Sequence, residues 1–174
     1  MKIALVTLAF VLVSLVDARA EGVMIPVPKG VTPPEVPADN PLTAAGIELG
    51  KKLYFDPRLS KDDTISCATC HDPRAGFAEH KPVSDGVAGG RGNRNAPTVM
   101  NAAFFREQFW DGRAPSLEAQ AVGPIINPVE MAMPEHPAVE KKLAALAEYP
   151  PRFQKAFGDP TVTIATDLAT FTRL

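Results

Sequence analysis

Both cysteines of the chain and two of its three histidines lie in one short segment, SCATCHDPRAGFAEH, residues 66–80. Cys67, Cys70 and His71 form a C-x-x-C-H motif, in which two thiols bond the vinyl groups of a haem and the histidine binds its iron. If Cys67 begins a helical turn, these three side chains share one face of it. The motif therefore predicts one covalently attached haem c, with His71 as the proximal iron ligand.

Two other uses of the cysteines fit the segment less well. A disulfide across two intervening residues is typical of redox-active pairs in a thioredoxin-like context, and no strand pattern precedes Cys67. A zinc site needs two further nitrogen or sulfur ligands, which His80 and His136 would supply only at an unusual spacing. Haem attachment also explains the histidine directly after the second cysteine, so we favour it over both alternatives.

Residues 1–20 have the three parts of a secretory signal peptide. Lys2 precedes an apolar run that reaches Val16, and the segment ends with Ala18-Arg19-Ala20, a small-x-small cleavage site. The apolar run is too short to span a hydrocarbon core of about 30 Å comfortably. We therefore predict export, cleavage after Ala20, a periplasmic location and no membrane span in the mature chain.

Charge and length narrow the possible partners and the number of domains. The 174 residues include 18 basic and 20 acidic side chains, for a formal net charge of −2. Nothing in this balance indicates a nucleic acid or an anionic membrane surface as a partner. The length after signal cleavage suits one domain.

The elements that must hold the haem begin after a proline-rich segment. Residues 21–40 lack periodicity and contain many prolines, so they predict an extended N-terminal arm. A helix is predicted over 42–55, and Asn40 with Pro41 marks its expected start. Its apolar stripe consists of Leu42, Gly46, Leu49 and Leu53.

The rest of the chain predicts short helices between long loops rich in proline and glycine. Residues 56–60 interrupt the first helix, and residues 85–95, with four glycines, form a loop. A helix over 115–121 is capped by Ser116, and residues 123–137 are again loop. Further helices are predicted over 138–149, 151–157 and 163–174. Since no β-hairpin signal is present, the predicted fold class is all-α.

Three segments occur in a fixed order: LGKKLYFDPRLSKDDTISCATCHDP at 49–73, RNAPTVMN at 94–101 and FWDGRAPSLEAQAVGPIINPVEM at 109–131. Together they resemble the di-haem cytochrome c peroxidase family, including its MauG-like branch. A C-x-x-C-H motif alone occurs in many cytochromes, but the ordered set at these separations is specific. The resemblance implies a cytochrome c-like haem domain over 41–174 with long Pro/Gly-rich loops.

Members of that family carry two cytochrome c-like domains, each with its own C-x-x-C-H motif. This sequence has one such motif, and it resembles the N-terminal, peroxide-reacting half of the family, with the second haem domain absent. The resemblance implies hydrogen peroxide as substrate. It also implies a small electron-donor protein (a cytochrome c or a cupredoxin), a protein substrate or a second haem domain as redox partner.

The resemblance assigns roles to residues downstream of the motif. Glu130 matches the family's distal-pocket acid, which moves a proton between the two peroxide oxygens. Gln120 and Pro124 match positions lining the same pocket. Gln120 is a candidate hydrogen-bond donor to peroxide, and an ordinary helix-surface amide fits it equally well. Trp110 matches the tryptophan that relays electrons between the two haems; a buried core aromatic is the alternative.

Two weaker assignments concern a cation and the haem propionates. Asn95 matches a residue that helps to bind calcium at the junction of the two domains. Because Ca²⁺ takes six to eight oxygen ligands, we expect it to bind weakly, and only with the second domain. Guanidinium groups pair well with carboxylates, so Arg91, Arg94 and Arg113 are candidate partners of the haem propionates. Each of them could equally be a solvated side chain in a loop.

The position opposite His71 decides between two classes of function. Some family members place a sixth iron ligand, a histidine, eight residues before the Asn of RNxPT, where this sequence has Val87. We therefore expect an open iron site and a peroxidase. A ligand from His80 or from Met100, Met131 or Met133 would instead make a mono-haem c-type cytochrome, a non-catalytic electron-transfer module. An inactive fragment is a third possibility.

Overall fold

The structure is a computed structural model that describes residues 22–163. Within that range the helices are Ala44–Tyr54 (α1), Cys67–Cys70 (α2), Leu117–Ile126 (α3), His136–Ala144 (α4) and Tyr149–Phe157 (α5). Single turns of 3₁₀ helix and isolated antiparallel bridges stabilise the loops between them. The all-α prediction is confirmed. The signal peptide predicted over 1–20, and all but the first residue of the helix predicted over 163–174, lie outside the described residues.

Helix α1 begins where a threonine hydroxyl caps it. Thr43 Oγ1 accepts a hydrogen bond from the Gly46 amide at 3.0 Å, as an N-cap side chain does. The predicted start at Asn40 was therefore wrong, because the Asn40 side chain is buried and donates to Glu118 Oε1 at 3.2 Å instead. The predicted apolar stripe is confirmed: Gly46, Leu42, Leu49 and Leu53 are all buried.

One hydrophobic core fills the space between α1 and the C-terminal helices. Helix α1 packs mainly against α5, where Tyr149 and Phe153 are almost fully buried. Full burial of a large apolar side chain stabilises a fold by roughly 1.5–3 kcal/mol. The core also contains Leu59, Ile65, Val87, Ile125, Met131, Met133, Val139, Leu143 and Val162.

Helix α3 is longer than the sequence predicts. Ser116 caps it as predicted, accepting from the Ala119 amide at 3.2 Å. The helix does not stop near residue 121, however, but continues through Pro124 to Ile126. Pro124 has no N–H to donate to the Gln120 carbonyl, so the helix loses one hydrogen bond there, while Ile125 beside it is completely buried, which favours the helical turn.

The remaining segments differ from prediction mainly at their ends. Helices α4 and α5 begin at His136 and Tyr149, earlier than predicted, because proline occupies the first turn of each, where its missing N–H costs nothing. Residues 22–40 form no helix, and the Val23 amide donates to the Leu42 carbonyl at 2.8 Å. None of the helices between residues 22 and 163 combines the length and hydrophobicity that a transmembrane segment requires.

A buried carboxylate connects the end of α1 to α5. Asp56 is 5% exposed and accepts hydrogen bonds from the Arg58 guanidinium, at 2.8 Å to Nε, and from the Tyr149 hydroxyl. Arg58 also pairs with Glu148 at 2.5 Å. Burial alone would raise the pKa of Asp56, but the hydrogen bonds from Arg58 and Tyr149 outweigh it and lower the pKa to about 2.

This network predicts acid-sensitive stability. Because the folded-state pKa of Asp56 is depressed, its contribution is present above the usual value of 3.8 and is lost as pH falls through about 2. We expect Asp56→Asn to lower the free energy of unfolding by about 2 kcal/mol at neutral pH. Urea unfolding of both proteins from pH 7 to pH 2 measures this difference, which should shrink with acid. The exposed Asp62→Asn variant serves as control, and equal losses in the two variants would contradict the prediction.

Candidate functional site

Helix α2 is one turn long and carries the C-x-x-C-H motif. The His71 amide donates to the Cys67 carbonyl at 2.9 Å, and the Ser66 amide donates to Thr69 Oγ1 at 3.0 Å. These bonds close the turn at both ends. Cys67 therefore begins a helical turn, as expected, and Cys70 and His71 follow it at positions i+3 and i+4.

The His71 imidazole is held in one orientation. Its Nδ1 lies 2.9 Å from the Pro97 carbonyl oxygen, which can only accept, so Nδ1 carries the proton and donates. Nε2 is then left with a lone pair, the form of histidine that binds a metal. Burial lowers the pKa of His71, which also favours the neutral ring. The main chain of His71 is held as well, because the Tyr54 hydroxyl donates to the His71 carbonyl at 2.8 Å.

The two cysteines are unbridged and partly buried. Burial raises the pKa of Cys67 to about 12 and that of Cys70 to about 11. Cys67 packs against the hydrophobic core, whereas Cys70 lies on the wall of a cavity, with its Sγ 3.8 Å from the Asp85 carbonyl. Two reduced thiols on one helical turn, next to an imidazole with a free Nε2, fit the attachment of a haem.

A cavity of about 170 Å³ brings most of the predicted site residues together. Its wall combines groups from α2, from α3, from the loop 92–99 and from the loop 108–113. Cys70 and His71 contribute to it directly. The other predicted residues on its wall are Arg94, Asn95, Trp110, Arg113, Gln120, Pro124 and Glu130. The fold therefore brings together residues up to 60 positions apart in the sequence, such as Cys70 and Glu130.

Glu130 is a half-buried carboxyl in this cavity. The Asn127 side-chain amide donates to its Oε1 at 2.6 Å, and the Glu130 amide donates to the Asn127 carbonyl at 3.0 Å. Burial raises the pKa of Glu130 above its usual value, although the charge of Arg113 and the bond from Asn127 oppose the shift. A cavity carboxyl whose pKa is raised above the usual value holds a proton more readily than an exposed one, which suits a group that takes up and releases protons.

Trp110 and Gln120 contribute in different ways. Trp110 is 63% exposed, so it is not the buried core aromatic that was its alternative. Its indole N–H donates to the Asn95 carbonyl at 2.8 Å, which fixes the ring at the cavity edge. Gln120 is partly buried on α3, one turn before Pro124, and both residues lie on the cavity wall.

Asn95 uses its side chain to hold two loops together. Its Nδ2 donates to the carbonyl oxygens of Glu79 and Lys81, at 3.0 and 2.6 Å. Among residues 22–163, no group of three or more histidine, cysteine or acidic side chains is placed to hold a metal ion. The structure thus gives Asn95 a structural role, and calcium binding stays a prediction.

The three arginines considered for the propionates separate into two groups. Arg94 and Arg113 lie on the cavity wall and share Asp111, at 3.0 and 2.7 Å. The Arg113 guanidinium also stacks on the Phe109 ring, 3.5 Å from its centroid. Arg91 is not on the wall and lies 3.8 Å from Asp85. Arg94 and Arg113 are therefore the better placed pair.

The alternative sixth ligands, and Val87 at the position of the family's histidine, do not line the cavity. His80 and Met100 are exposed, the latter by 55%. Val87, Met131 and Met133 are buried in the hydrophobic core. None of these five residues is among the described residues that line the cavity.

Sequence reasoning missed the groups that orient His71. Tyr54 was assigned only to a helix, and Pro97 only to a family segment. The Pro97 acceptor is a main-chain carbonyl, which no side-chain pattern can indicate. Tyr54 lies one residue after the buried Leu53, and its own burial could have suggested an internal partner for the hydroxyl, since buried tyrosines usually form hydrogen bonds.

Comparison with known proteins shows the family to which this arrangement belongs. The profile described as "Di-haem cytochrome c peroxidase" matches residues 44–174. The chain belongs to the di-haem cytochrome c peroxidase family. This family implies haem c as the cofactor, and the residues of α2 fit it. The resemblance stated from the sequence is thereby confirmed.

The relatives of this chain include both cytochrome c peroxidases and MauG proteins. The chain is 47% identical over 129 residues to the cytochrome c551 peroxidase of Nitrosomonas europaea. The matched region covers 74% of this chain and 38% of that protein. It is 43% identical over 141 residues to the methylamine utilization protein MauG of Methylorubrum extorquens, with coverages of 79% and 40%. The chain therefore spans about two fifths of the length of these relatives.

Solved structures of related proteins support the fold. The crystal structure of a MauG-like protein associated with microbial copper homeostasis matches with a TM-score of 0.77 at 31% identity, covering 84% of this chain and 45% of that one. The di-haem peroxidase BthA of Burkholderia thailandensis matches with a TM-score of 0.65 at 25% identity, covering 83% and 46%. The fold of residues 22–163 is thus that of one part of a di-haem peroxidase.

The free thiols of α2 predict covalent attachment that survives denaturation. The parent protein, exported together with a c-type maturation system, should keep its haem on a denaturing gel, as detected by haem staining. Replacing Cys67 and Cys70 together with serine should abolish the stain, because no thioether can form. The single variants each leave one thioether and should still stain. A stained band from the double variant would contradict the assignment.

Proposed function

We propose that the chain is the haem-binding, peroxide-reducing domain of an exported di-haem peroxidase that acts in the periplasm. The observation that carries this proposal is the composition of one cavity wall. It joins the attachment residue Cys70 and the oriented imidazole of His71 to Glu130, a half-buried carboxyl with a raised pKa. An electron-transfer domain has no need of an acid–base group in that place.

Haem attachment is assigned to the thiols of Cys67 and Cys70, and the iron ligand is His71 Nε2. When bound, the haem supplies the iron centre at which hydrogen peroxide is reduced. The Pro97 carbonyl fixes the ring of His71, and the Tyr54 hydroxyl fixes its main chain. Such outer partners orient a ligand and increase its basicity.

Glu130 is the proton-handling residue in this proposal. Its ionised carboxylate takes the proton from one oxygen of hydrogen peroxide and delivers it to the other oxygen, which leaves as water when the O–O bond breaks. Overall, peroxide, two electrons and two protons give two water molecules. The Asn127 amide holds the carboxyl at 2.6 Å, so that it keeps one position. Gln120, on the same wall, is assigned as a hydrogen-bond donor to the bound peroxide.

The two electrons come from outside this domain. Trp110 is the proposed exit for oxidising equivalents, because its ring is 63% exposed at the cavity edge and its N–H is anchored on Asn95. The partner beyond it is a second haem domain, a small cytochrome c or cupredoxin, or a protein substrate. Calcium, if it binds with Asn95, does so together with that second domain.

Substitution of the acid tests the proposed chemistry. Glu130→Gln keeps the size of the side chain but removes its ability to carry a proton. We expect the rate of reaction with hydrogen peroxide, followed by stopped-flow absorption of the ferric holoprotein, to fall on the order of 100-fold. Haem content should not change. Because burial raises the pKa of Glu130, the parent rate should fall with acid at a pH above that of an ordinary glutamate, and the variant should lack this acid limb.

The control is Glu135→Gln, which changes an exposed carboxyl in the same segment, outside the cavity wall. It should react like the parent at every pH. A Glu130→Gln variant with the parent rate and the parent pH profile would remove Glu130 from the mechanism and with it the main support for a peroxidase.

A further inference from the structure

The loop over residues 84–92 is built as a compact unit by its own main chain. The Gly86 amide donates to the Gly90 carbonyl at 2.8 Å, and the Gly90 amide donates back to the Val87 carbonyl at 2.9 Å. At its base, the Gly92 amide donates to the Ser84 carbonyl at 2.8 Å. These three main-chain hydrogen bonds join the residues of the loop to one another.

This loop contacts both sides of the candidate site. The Val87 amide donates to the Glu130 carbonyl at 2.9 Å, while the Val87 side chain is buried in the hydrophobic core, to which Met131 also belongs. At the other end, the Asp85 carbonyl lies 3.8 Å from Cys70 Sγ. The loop therefore connects the haem-attachment turn to the main chain of Glu130.

At Gly86 the loop lies close against the main chain of the Glu130 segment. A Cβ placed on Gly86 would lie 2.0 Å from the Val129 carbonyl oxygen and 2.9 Å from that of Glu130. Both are main-chain atoms, which cannot rotate away as the end of a side chain can. The φ of Gly86 is −123°, which any residue adopts. Glycine is thus required here by the close approach of two main chains and not by backbone conformation.

We infer that Gly86 is a positioning residue for Glu130. Its missing side chain lets loop 84–92 lie against Val129 and hold the Glu130 carbonyl through the Val87 amide. Three hydrogen bonds then hold Glu130: its main-chain carbonyl accepts from the Val87 amide, its main-chain amide donates to the Asn127 carbonyl, and its Oε1 accepts from the Asn127 side chain. This inference rests on the proposed role of Glu130 in peroxide reduction.

The test is Gly86→Ala in the haem-containing protein. The added Cβ must push Val129 and Glu130 away, and a displacement of about 1 Å at a catalytic group can cost on the order of 100-fold in rate. We expect a loss of that size in the stopped-flow reaction with hydrogen peroxide, with haem content unchanged. The acid limb of the pH profile should also disappear, because a displaced Glu130 no longer controls the rate.

A double variant separates positioning from a general structural effect. In a Glu130→Gln background there is no carboxyl left to position, so Gly86→Ala should slow the reaction less than 3-fold further. The other groups that interact with the Glu130 carboxyl are Arg113, Asn127 and Cys70, and all are unchanged in these variants. If the two substitutions multiply to give the product of their separate losses, the inference is wrong.

Two other glycines provide the controls. Gly22→Ala places a Cβ 3.9 Å from its nearest neighbour, an ordinary contact, and should react like the parent. Gly90→Ala places a Cβ 3.1 Å from the same Val129 oxygen, so a loss of about 10-fold is expected. If Gly86→Ala retains no haem, Gly90→Ala decides: a loss that vanishes in the Glu130→Gln background supports the inference, and an unchanged or fully multiplicative rate overturns it.

The outcomes also distinguish this inference from the proposed function. If Glu130→Gln alone leaves the peroxide reaction unchanged, the proposed function fails. If Glu130→Gln slows the reaction but Gly86→Ala leaves the rate and the pH profile intact, only the positioning role of Gly86 fails.

Discussion

The hydrogen bond between His71 and the Pro97 carbonyl is the interaction on which the site depends. It puts the proton on Nδ1 and leaves Nε2 free to bind iron. A single turn of helix cannot fix an imidazole by itself, because its side chains remain free to rotate. Two segments distant in sequence hold His71: the Pro97 carbonyl orients the ring, and Tyr54 of α1 holds the main-chain carbonyl. The compact core of α1 and α5 matters for function because it holds Tyr54 in place.

The cavity wall carries both positively charged side chains and an acid. Arg94 and Arg113, joined by Asp111, supply positive charge, which suits the carboxylates of a haem edge. Glu130, half-buried and held by Asn127, supplies a carboxyl whose pKa is raised above its usual value by burial. An electron carrier would instead place a sixth ligand there. The described candidates for that ligand are either exposed or packed in the core, which favours chemistry at the iron over simple electron transfer.

Local sequence patterns predicted helices and their caps well. They did not predict contacts between segments that are far apart in the chain. The apolar stripe of α1, which includes Leu49, depends on residues within one or two helical turns, and so does the Ser116 cap of α3. Both features could therefore be predicted from the sequence. The extension of α3 through Pro124 was missed because burial of Ile125 overrides the usual effect of proline. From the sequence, Val87 indicates only that the histidine ligand of some family members is missing at this position. Its main-chain bond to Glu130 arises from packing between segments 43 residues apart, which periodicity does not report.

The most direct measurement is the electron paramagnetic resonance spectrum of the ferric holoprotein, recorded before and after hydrogen peroxide is added. With His71 as the only protein ligand, we expect a high-spin signal that changes when peroxide reacts. A low-spin signal of the His–His or His–Met type, unchanged by peroxide, would contradict the open site. It would instead identify the chain as an electron-transfer cytochrome.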